Sequence, residues 1–483
     1  MGAKRVRRVW IIGVMCAGCL LGLWCGRFRP MPYTFMLLIA APLFFWSLLR
    51  PSRSMIVLAL LFGLLLGWWR GSGFLPELQI YQKLRDKPVQ LEVTALDDSV
   101  YDDRGQLTFD AGSLKLEDGQ RLRGSIVVAG RGATMVYRGD RVQLSGKMRP
   151  SRGSRQARMS FAQISVTQRS TNPVHAFRRT FSAGLLSAVS EPQASFGLGL
   201  LVGQRDTLPE DVSDRLSMVG LTHLIAVSGY NLTIIVLVVR RLTGGRSKYQ
   251  ATLAAVLLIA AFLALTGFSA SIVRASVVSG LSLWAWYYGR QINPYLLILF
   301  AAALTAMVSP FYIWTDIGWY LSFLAFSGVL ILAPLVSARL FTDRTEIPMV
   351  PAVAIESFSA QLMTIPIIML VFDRLSVVSL LANLLVVPVT PLAMLVSLLA
   401  GLSGAYLPVL VRFGAWPAEL VLGYMMQIVN ILSRVPFAEV EVKIPWYGMV
   451  AMYSAIVLFA VIMARKNDQK HATITDEKAI KAE

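Results

Sequence analysis

GLTHLIAVSGYNLTIIVLVVRR, Gly220 to Arg241, is the stretch on which the reading of this chain turns. It is apolar enough to enter a bilayer, yet it carries His223, Ser228 and Asn231, and Arg240 and Arg241 stop it. Polar groups in hydrocarbon cost free energy unless they find partners, so this span is expected to line something other than lipid. Ser228 and Asn231 are three residues apart and share a helix face, where they serve a polar pathway or join helices by hydrogen bonds. Gly229 beside Ser228 allows a break or a close helix contact. His223 and Ser228 are about 140° apart round a helix and point to different faces. A nucleophile and its base must lie within hydrogen-bond reach. The other histidines, His175 and His471, fall outside the expected spans. An intramembrane serine hydrolase is therefore disfavoured on geometry.

Outward from that segment, 55% of the 483 residues are hydrophobic and only 15% are charged. Long apolar runs recur, and the chain reads as a polytopic α-helical membrane protein of about 12 spans with one inserted five-stranded OB-like β-barrel domain. Three spans precede the insert, at Val9–Gly26, Tyr33–Leu49 and Met55–Trp69. After the central span come Thr252–Thr266, Ala270–Tyr288, Tyr295–Val308, Ile317–Ala338, Pro351–Phe372, Val377–Leu402, Ala418–Leu432 and Trp446–Ala464. The expected divisions are residues 1–70 (first helices), 71–170 (β domain), 171–220 (interfacial helices), 221–465 (helical membrane domain) and 466–483 (loose charged tail).

The net charge is +18, from 46 basic and 28 acidic residues. Basic loops face the cytoplasm. Lys4, Arg5, Arg7 and Arg8 precede the first span and Arg50 and Arg53 precede the third, against Arg27 and Arg29 on the opposite loop. This count puts the N-terminus in the cytoplasm of a multi-pass cell-membrane protein, the β domain outside, and the C-terminus in the cytoplasm. The surplus also suits nucleic acid or lipid headgroups, between which charge alone does not choose. Cys16, Cys19 and Cys25 lie in the first apolar run and read as small packing residues. That run lacks an Ala-x-Ala-like cleavage site and reads as an uncleaved anchor.

From Pro88 to Gln168 the pattern alternates: Val89–Ala95, Leu107–Leu116, Ser125–Ala129, Val142–Met148 and Ser160–Thr167, separated by turn signals such as Glu117-Asp118-Gly119. OB-folds often stack bases on aromatics over a basic groove. The aromatics here are Tyr101, Phe109, Tyr137 and Phe161; the basic cluster is Arg149, Arg152, Arg155 and Arg158. A solvated loop explains that cluster equally well. Val174–Val189 reads as an interfacial helix with Arg178, Arg179 and Ser182 on a face away from its apolar one. Phe196–Gly203 is too short to span and is expected to insert partially, packed on protein; Arg205 follows it. Pro209–Val219 is a second amphipathic turn.

Arg274 at membrane depth should face a bundle interior or a wet cavity, with Asp316 and Glu356 as candidate partners. A structural ion pair and a conduction role are both open. Gln361, Asn383 and the prolines Pro366, Pro388 and Pro391 mark two irregular spans, useful where a cavity forms. The chain has no Walker A loop and no His-rich cluster, so neither an ATP motor nor a metal or other cofactor is expected.

HLIAVSGYNLTII at His223–Ile235 resembles the signature of the ComEC family, the membrane channel of bacterial competence. Other matches follow in family order: GLLLG at Gly63–Gly67, FGLGLLVGQRDTLP at Phe196–Pro209, SIVRA at Ser271–Ala275, DIGWYLSFLAFSGVLIL at Asp316–Leu332 and LSVVSLLANLLVVPVTPLAML at Leu375–Leu395. The resemblance covers nearly the whole chain. It implies an OB-like domain outside the membrane and a helical domain that conducts one DNA strand inward during transformation. The path residues are then His223, Ser228, Gly229, Asn231, Arg274, Asp316, Gln361 and Asn383. Arg149, Arg152, Arg155, Arg158 and Arg205 guide the approach. Implied partners are single-stranded DNA, membrane lipid, a DNA receptor outside, and an ATP-driven motor or strand-binding proteins inside; oligomeric state stays open. Many members end in a metallo-β-lactamase-like domain, whose His/Asp ligand cluster has no counterpart here, so the chain reads as a non-enzyme form; either another chain supplies the nuclease in trans or the channel is used without it. Asp316-Ile317-Gly318-Trp319 departs from the family's phenylalanine-glutamine form. The rival is a small-solute or lipid-precursor transporter, which mirrored broken segments would favour; none is visible.

Overall fold

The computed structural model describes residues 8–31, 36–37, 39–42, 54–101, 105–132, 135–151, 155–204, 207–225, 232, 247–267, 270–290, 293–341, 348–407, 409 and 411–480. Most of the second expected span and most of the central one lie outside these. The chain divides into two compact units, one of Met1–Leu208, Ile225–Tyr320 and Ser397–Gly414, the other of Pro209–Leu224, Leu321–Val396 and Ala415–Glu483.

The first unit opens with two helices, Arg8–Gly26 and Ser54–Ser72, packed backbone to backbone. Glycines recur every fourth residue on each, at Gly18, Gly22 and Gly26 and at Gly63, Gly67 and Gly71. That spacing sets them in one stripe. A Cβ at Gly22 would stand 2.0 Å from the Leu64 carbonyl oxygen, and one at Gly67 2.1 Å from that of Cys19. Helices with nothing but lipid round them gain by such close approach. Cys16 and Cys19 are buried at this seam, as the small packing residues the sequence predicts, whereas Cys25 is exposed.

A helix the sequence reading missed, Leu75–Lys83, carries the chain into the β domain. The guanidinium groups of Arg70 and Arg123 lie 4.7 and 5.0 Å from the ring of buried Phe74. Tyr81 donates to the Arg123 carbonyl at 2.9 Å.

Five strands then close a barrel: β1 (Pro88–Ala95), β3 (Leu107–Leu116), β4 (Arg121–Gly132), β5 (Arg141–Pro150) and β6 (Ala157–Gln168), with a two-residue β2 (Val100–Tyr101) appended to β3. The circuit runs β1-β5-β6-β4-β3 and back to β1; all pairings are antiparallel except β4–β6. Alternation puts Leu91, Phe109, Ile126, Leu144 and Met159 into one core. β4 and β6 outrun the predicted Ser125–Ala129 and Ser160–Thr167, because polar residues at their ends still hold ladder hydrogen bonds.

Helix Pro173–Ala188 follows, with Asn172 accepting the Val174 N–H as its cap. Here the structure corrects the sequence reading. Arg178, Phe181, Ser182 and Leu185 form the buried stripe, so Arg178 and Ser182 face inward. Helix Gln193–Val202 is the short apolar piece, buried at eight of its ten positions, as predicted. Helices Lys248–Thr266, Ala270–Tyr287 and Pro294–Val308 also belong to this unit.

In the second unit, Gly328–Leu332 is a π-helical turn where Gly328 meets the Ser359 backbone. Helix Met349–Phe372 contains Pro366, and Val387–Val389 is a 3₁₀ turn at Pro388 between helices Ser379–Val386 and Thr390–Tyr406. The break at Pro388 falls where that proline predicts it, whereas the helix through Pro366 runs on without interruption. The tail differs from expectation: helix Trp446–Ile480 runs through it.

Six helices among the described residues are long and apolar enough to cross a membrane, within Met55–Lys83, Lys248–Thr266, Ile317–Leu340, Val350–Phe372, Ser379–Tyr406 and Trp446–Lys466.

Candidate translocation site

The predicted path residues fall into three groups. Ser228, Gly229 and Asn231, with Arg152 and Arg205 of the approach set, lie outside the described residues. Arg274 and Asp316 meet in the first unit. His223, Gln361 and Asn383 belong to the second.

Arg274 sits one turn into helix Ala270–Tyr287 and is 4% exposed. Its Nη1 lies 3.6 Å from Asp316 Oδ2, and its Nη2 donates to the Gly318 carbonyl at 3.0 Å. Asp316 precedes helix Ile317–Ser327, and its Oδ1 accepts the Trp319 N–H at 3.2 Å. Of the two partners offered by the sequence, Asp316 is the one that pairs. The pair is buried, and Arg274 Nε and Nη1 have no hydrogen-bond partner.

A second buried arginine was not foreseen. Arg178, 3% exposed, lies 3.9 Å from Asp98 Oδ2, and its Nε and Nη1 are likewise unpartnered. Asp98 is already engaged: Gln204 Nε2 donates to Oδ2 at 2.6 Å and the Arg138 N–H to Oδ1 at 2.8 Å. Ser182 in turn donates to Gln204 Oε1 at 3.1 Å. The Arg138 guanidinium reaches the end of helix Lys248–Thr266, 3.5 Å from the Leu265 carbonyl. A Cβ at Gly267, where φ is +94°, would strike it. Burial, then the neighbouring Arg178 charge, pushes the Arg138 guanidinium below its usual range, against the pull of Asp97 and Asp98. Burial pushes Asp97 up, helped by Asp110, while Arg178, Arg138 and Arg155 oppose.

Arg155, expected to guide DNA, is ion-paired with Asp110. Burial works against its charge, but the hydrogen bond and charge of Asp110, with Asp97 and Asp316, raise it overall. The four arginines 138, 155, 178 and 274 thus lie among the four aspartates 97, 98, 110 and 316, a chain of charges from barrel to helices. Arg149 and Arg158 are exposed on β5 and β6.

In the second unit, Gln361 Nε2 donates to Ser379 Oγ. Asn383, one turn beyond Ser379, has a buried Oδ1 without a partner, as do the Ser359 and Ser376 hydroxyls. Gly220, with φ at +74°, packs on Ser379 where a Cβ would stand 2.6 Å away. His223 is exposed and its Nδ1 lies 3.1 Å from the Gly220 carbonyl. Gln361 and Asn383 therefore share one polar patch, with serines the sequence reading passed over.

Among the described residues no group of three or more His, Cys, Asp or Glu is placed to hold a metal ion. The sequence held one signal for Arg178: with residues 181, 182 and 185 it makes an i, i+3, i+4, i+7 stripe, the spacing of a buried face. Nothing local signalled Asp98 or Gln204.

The model of the family described as Competence protein matches residues 200–467. ComE operon protein 3 of Bacillus subtilis (strain 168) is 23% identical over 292 residues, which cover 59% of this chain. They span only 36% of that relative's length. No solved structure matches. The family match runs from helix Gln193–Val202 past the buried Arg274–Asp316 pair and the Gln361–Ser379–Asn383 patch into the last helix. With its apolar helices, this makes the chain a membrane-embedded protein of the Competence protein family, the ComEC family that its His223 block resembles.

Proposed function

We propose that this chain forms a passage for single-stranded DNA across the cytoplasmic membrane during natural transformation. The observation that carries the reading is the state of Arg178 and Arg274. Each is nearly fully buried, each has its aspartate at the far edge of pairing distance, and each leaves Nε and Nη1 without an acceptor. A buried charged donor left unmade is costly. A passing phosphodiester supplies the missing acceptors, and guanidinium geometry suits phosphate. Asp316 and Asp98 hold the arginines between phosphates and keep the strand from binding too tightly to move. For a strand to pass Arg274, its contact with Asp316 must part.

In this reading the closed barrel is of OB type and stands outside, the N-terminus is cytoplasmic, and spans total about 12. Residues 171–220 are interfacial helices and 221–465 the helical domain that conducts the strand. Ser228 and Asn231, with Gln361 and Asn383, offer hydrogen bonds to bases. Pull comes from a motor or strand-binding proteins inside; a receptor feeds the outer face, and any nuclease acts in trans. The chain itself does no hydrolysis.

The test is entry of labelled single strands into vesicles holding the purified protein, with transformation of a deletion strain as its counterpart in cells. Strand entry that Arg274→Ala, Ser228→Ala and Asn231→Ala each abolish or slow supports the reading. Entry undiminished by all three overturns the site. Flux of a small solute or lipid precursor without strand entry favours the transporter instead.

A further inference from the structure

We propose that the outer face of β5 and β6 is a platform for single-stranded DNA, with Phe161 stacking on a base and Arg149 and Arg158 holding phosphate. The inference rests on the DNA reading above and assigns it a surface. Three observations carry it.

First, Phe161 is the extra residue of a bulge. Ser160 pairs with Ala129 and Ala162 with Gly130, and the β5–β6 register slips at the same place. Its φ is +57°, left-handed backbone that a bulky side chain rarely adopts. The ring is thrown outward and is 68% exposed. Another of the barrel's bulges, at Ser113 (φ +51°), carries a small polar residue that tolerates this backbone more readily. Strained, outward-aimed residues at bulges mark places where a side chain is presented to a ligand.

Second, Arg149 and Arg158 are register partners on antiparallel strands, both exposed. Like charges directly opposite each other destabilise a sheet. Neither is in an ion pair among the described residues. An anion between them removes the penalty.

Third, β5 and β6 contain no acidic residue. Their outward side chains are Arg141, Lys147, Arg149 and Arg158 interleaved with Gln143, Ser145, Gln163, Ser165 and Thr167. Basic charge with polar hydrogen-bonding groups and one free aromatic ring is the chemistry that tracks a single strand without reading its sequence. OB-folds usually bind on their second and third strands, here β3 and β4; β3 instead offers Asp110, tied to Arg155. The platform is on the other side of the circuit.

The experiment is a binding titration of a labelled oligothymidylate to the full-length protein in nanodiscs of uncharged lipid, with melting temperature measured in parallel. Phe161→Gly is expected to weaken binding by about tenfold or more through lost stacking. It should also raise the melting temperature, since glycine accepts φ of +57° without strain. Phe161→Tyr should keep the affinity. Arg149→Gln with Arg158→Gln should weaken binding and lower the slope of log affinity against log salt by about 1.4, the share of two phosphate contacts on a single strand. Unchanged affinity in both sets, with the wild type binding, overturns the platform and leaves the DNA reading standing. A wild type that neither binds nor imports strands defeats both. Lost binding with a lowered melting temperature in Phe161→Gly makes the ring a packing residue and overturns its stacking role. If the arginine variants instead lose attachment to anionic vesicles, and strands do not compete for it, the face is a membrane contact and the proposal fails.

Discussion

Asp316→Asn isolates the charge of the Arg274–Asp316 pair. Asparagine keeps an oxygen to accept the Trp319 N–H, so the start of helix Ile317–Ser327 is preserved. What remains is a guanidinium 4% exposed that donates to the Gly318 carbonyl at 3.0 Å. Breaking a buried pair by removing one partner costs about 3–5 kcal/mol. The 3.6 Å separation and the unpartnered Nε put this pair at the low end, about 3 kcal/mol. Arg274→Met strands the carboxylate in the same way and should cost a similar amount. The double variant buries no charge and should return to within about 1 kcal/mol of wild type. Unfolding of the purified protein, followed by tryptophan fluorescence, gives the three differences; strand entry into vesicles gives the function. A double variant that is stable but no longer conducts assigns the guanidinium to the path. A double variant that conducts like wild type makes the pair purely structural and refutes the role given to Arg274. If Asp316→Asn alone costs less than about 0.5 kcal/mol, the electrostatic argument itself is wrong.

Three further outcomes are expected. Gly22→Ala must move the Leu64 carbonyl oxygen from 2.0 Å to the 3.4 Å of ordinary contact, parting the first two helices by about 1.4 Å. The cost is about 1–3 kcal/mol, read as lost cysteine cross-linking across the seam as well as lowered melting temperature. His175 is held below the ordinary imidazole value of 6.5 by burial, then by Arg138, Arg178 and Arg179, against Asp98. The unfolded chain therefore binds the proton first: stability is full above pH 6.5, falls as pH drops through 6.5 toward the lowered value, and is level below it. His175→Gln should flatten that part of the melting-temperature profile; an unchanged profile removes His175 as its cause. Asn383→Leu should raise stability by about 1–2 kcal/mol, since its carbonyl oxygen is buried without a partner. Strand entry should fall in the same variant, and entry at the wild-type rate would take Asn383 out of the path.

Much of this site was legible only in part. The i, i+3, i+4, i+7 stripe of Arg178, Phe181, Ser182 and Leu185 is present in the sequence, but a charged residue on such a stripe is ordinarily read as the solvent edge. Arg149 and Arg158 were singled out as a basic cluster; that they face each other across a ladder follows from register, which a turn between them sets. Arg155 was put in the same cluster and turned out to be committed to Asp110, a residue on a different strand.

The sequence by itself determined the elements. Period-two alternation marked the barrel strands, long apolar runs marked the helices, and Pro388 marked the break between two of them, because backbone preference and amphipathicity are local properties. The glycines at every fourth position of the first and third runs were visible too, though not what they pack against. Tertiary structure alone decided that those two stripes meet, that Arg274 takes Asp316 and leaves Glu356, and that Asp98 is divided between Gln204, Arg138 and Arg178. Coulomb attraction and close packing depend on distances of a few ångströms between residues far apart in the chain, and only the folded path of the backbone sets those.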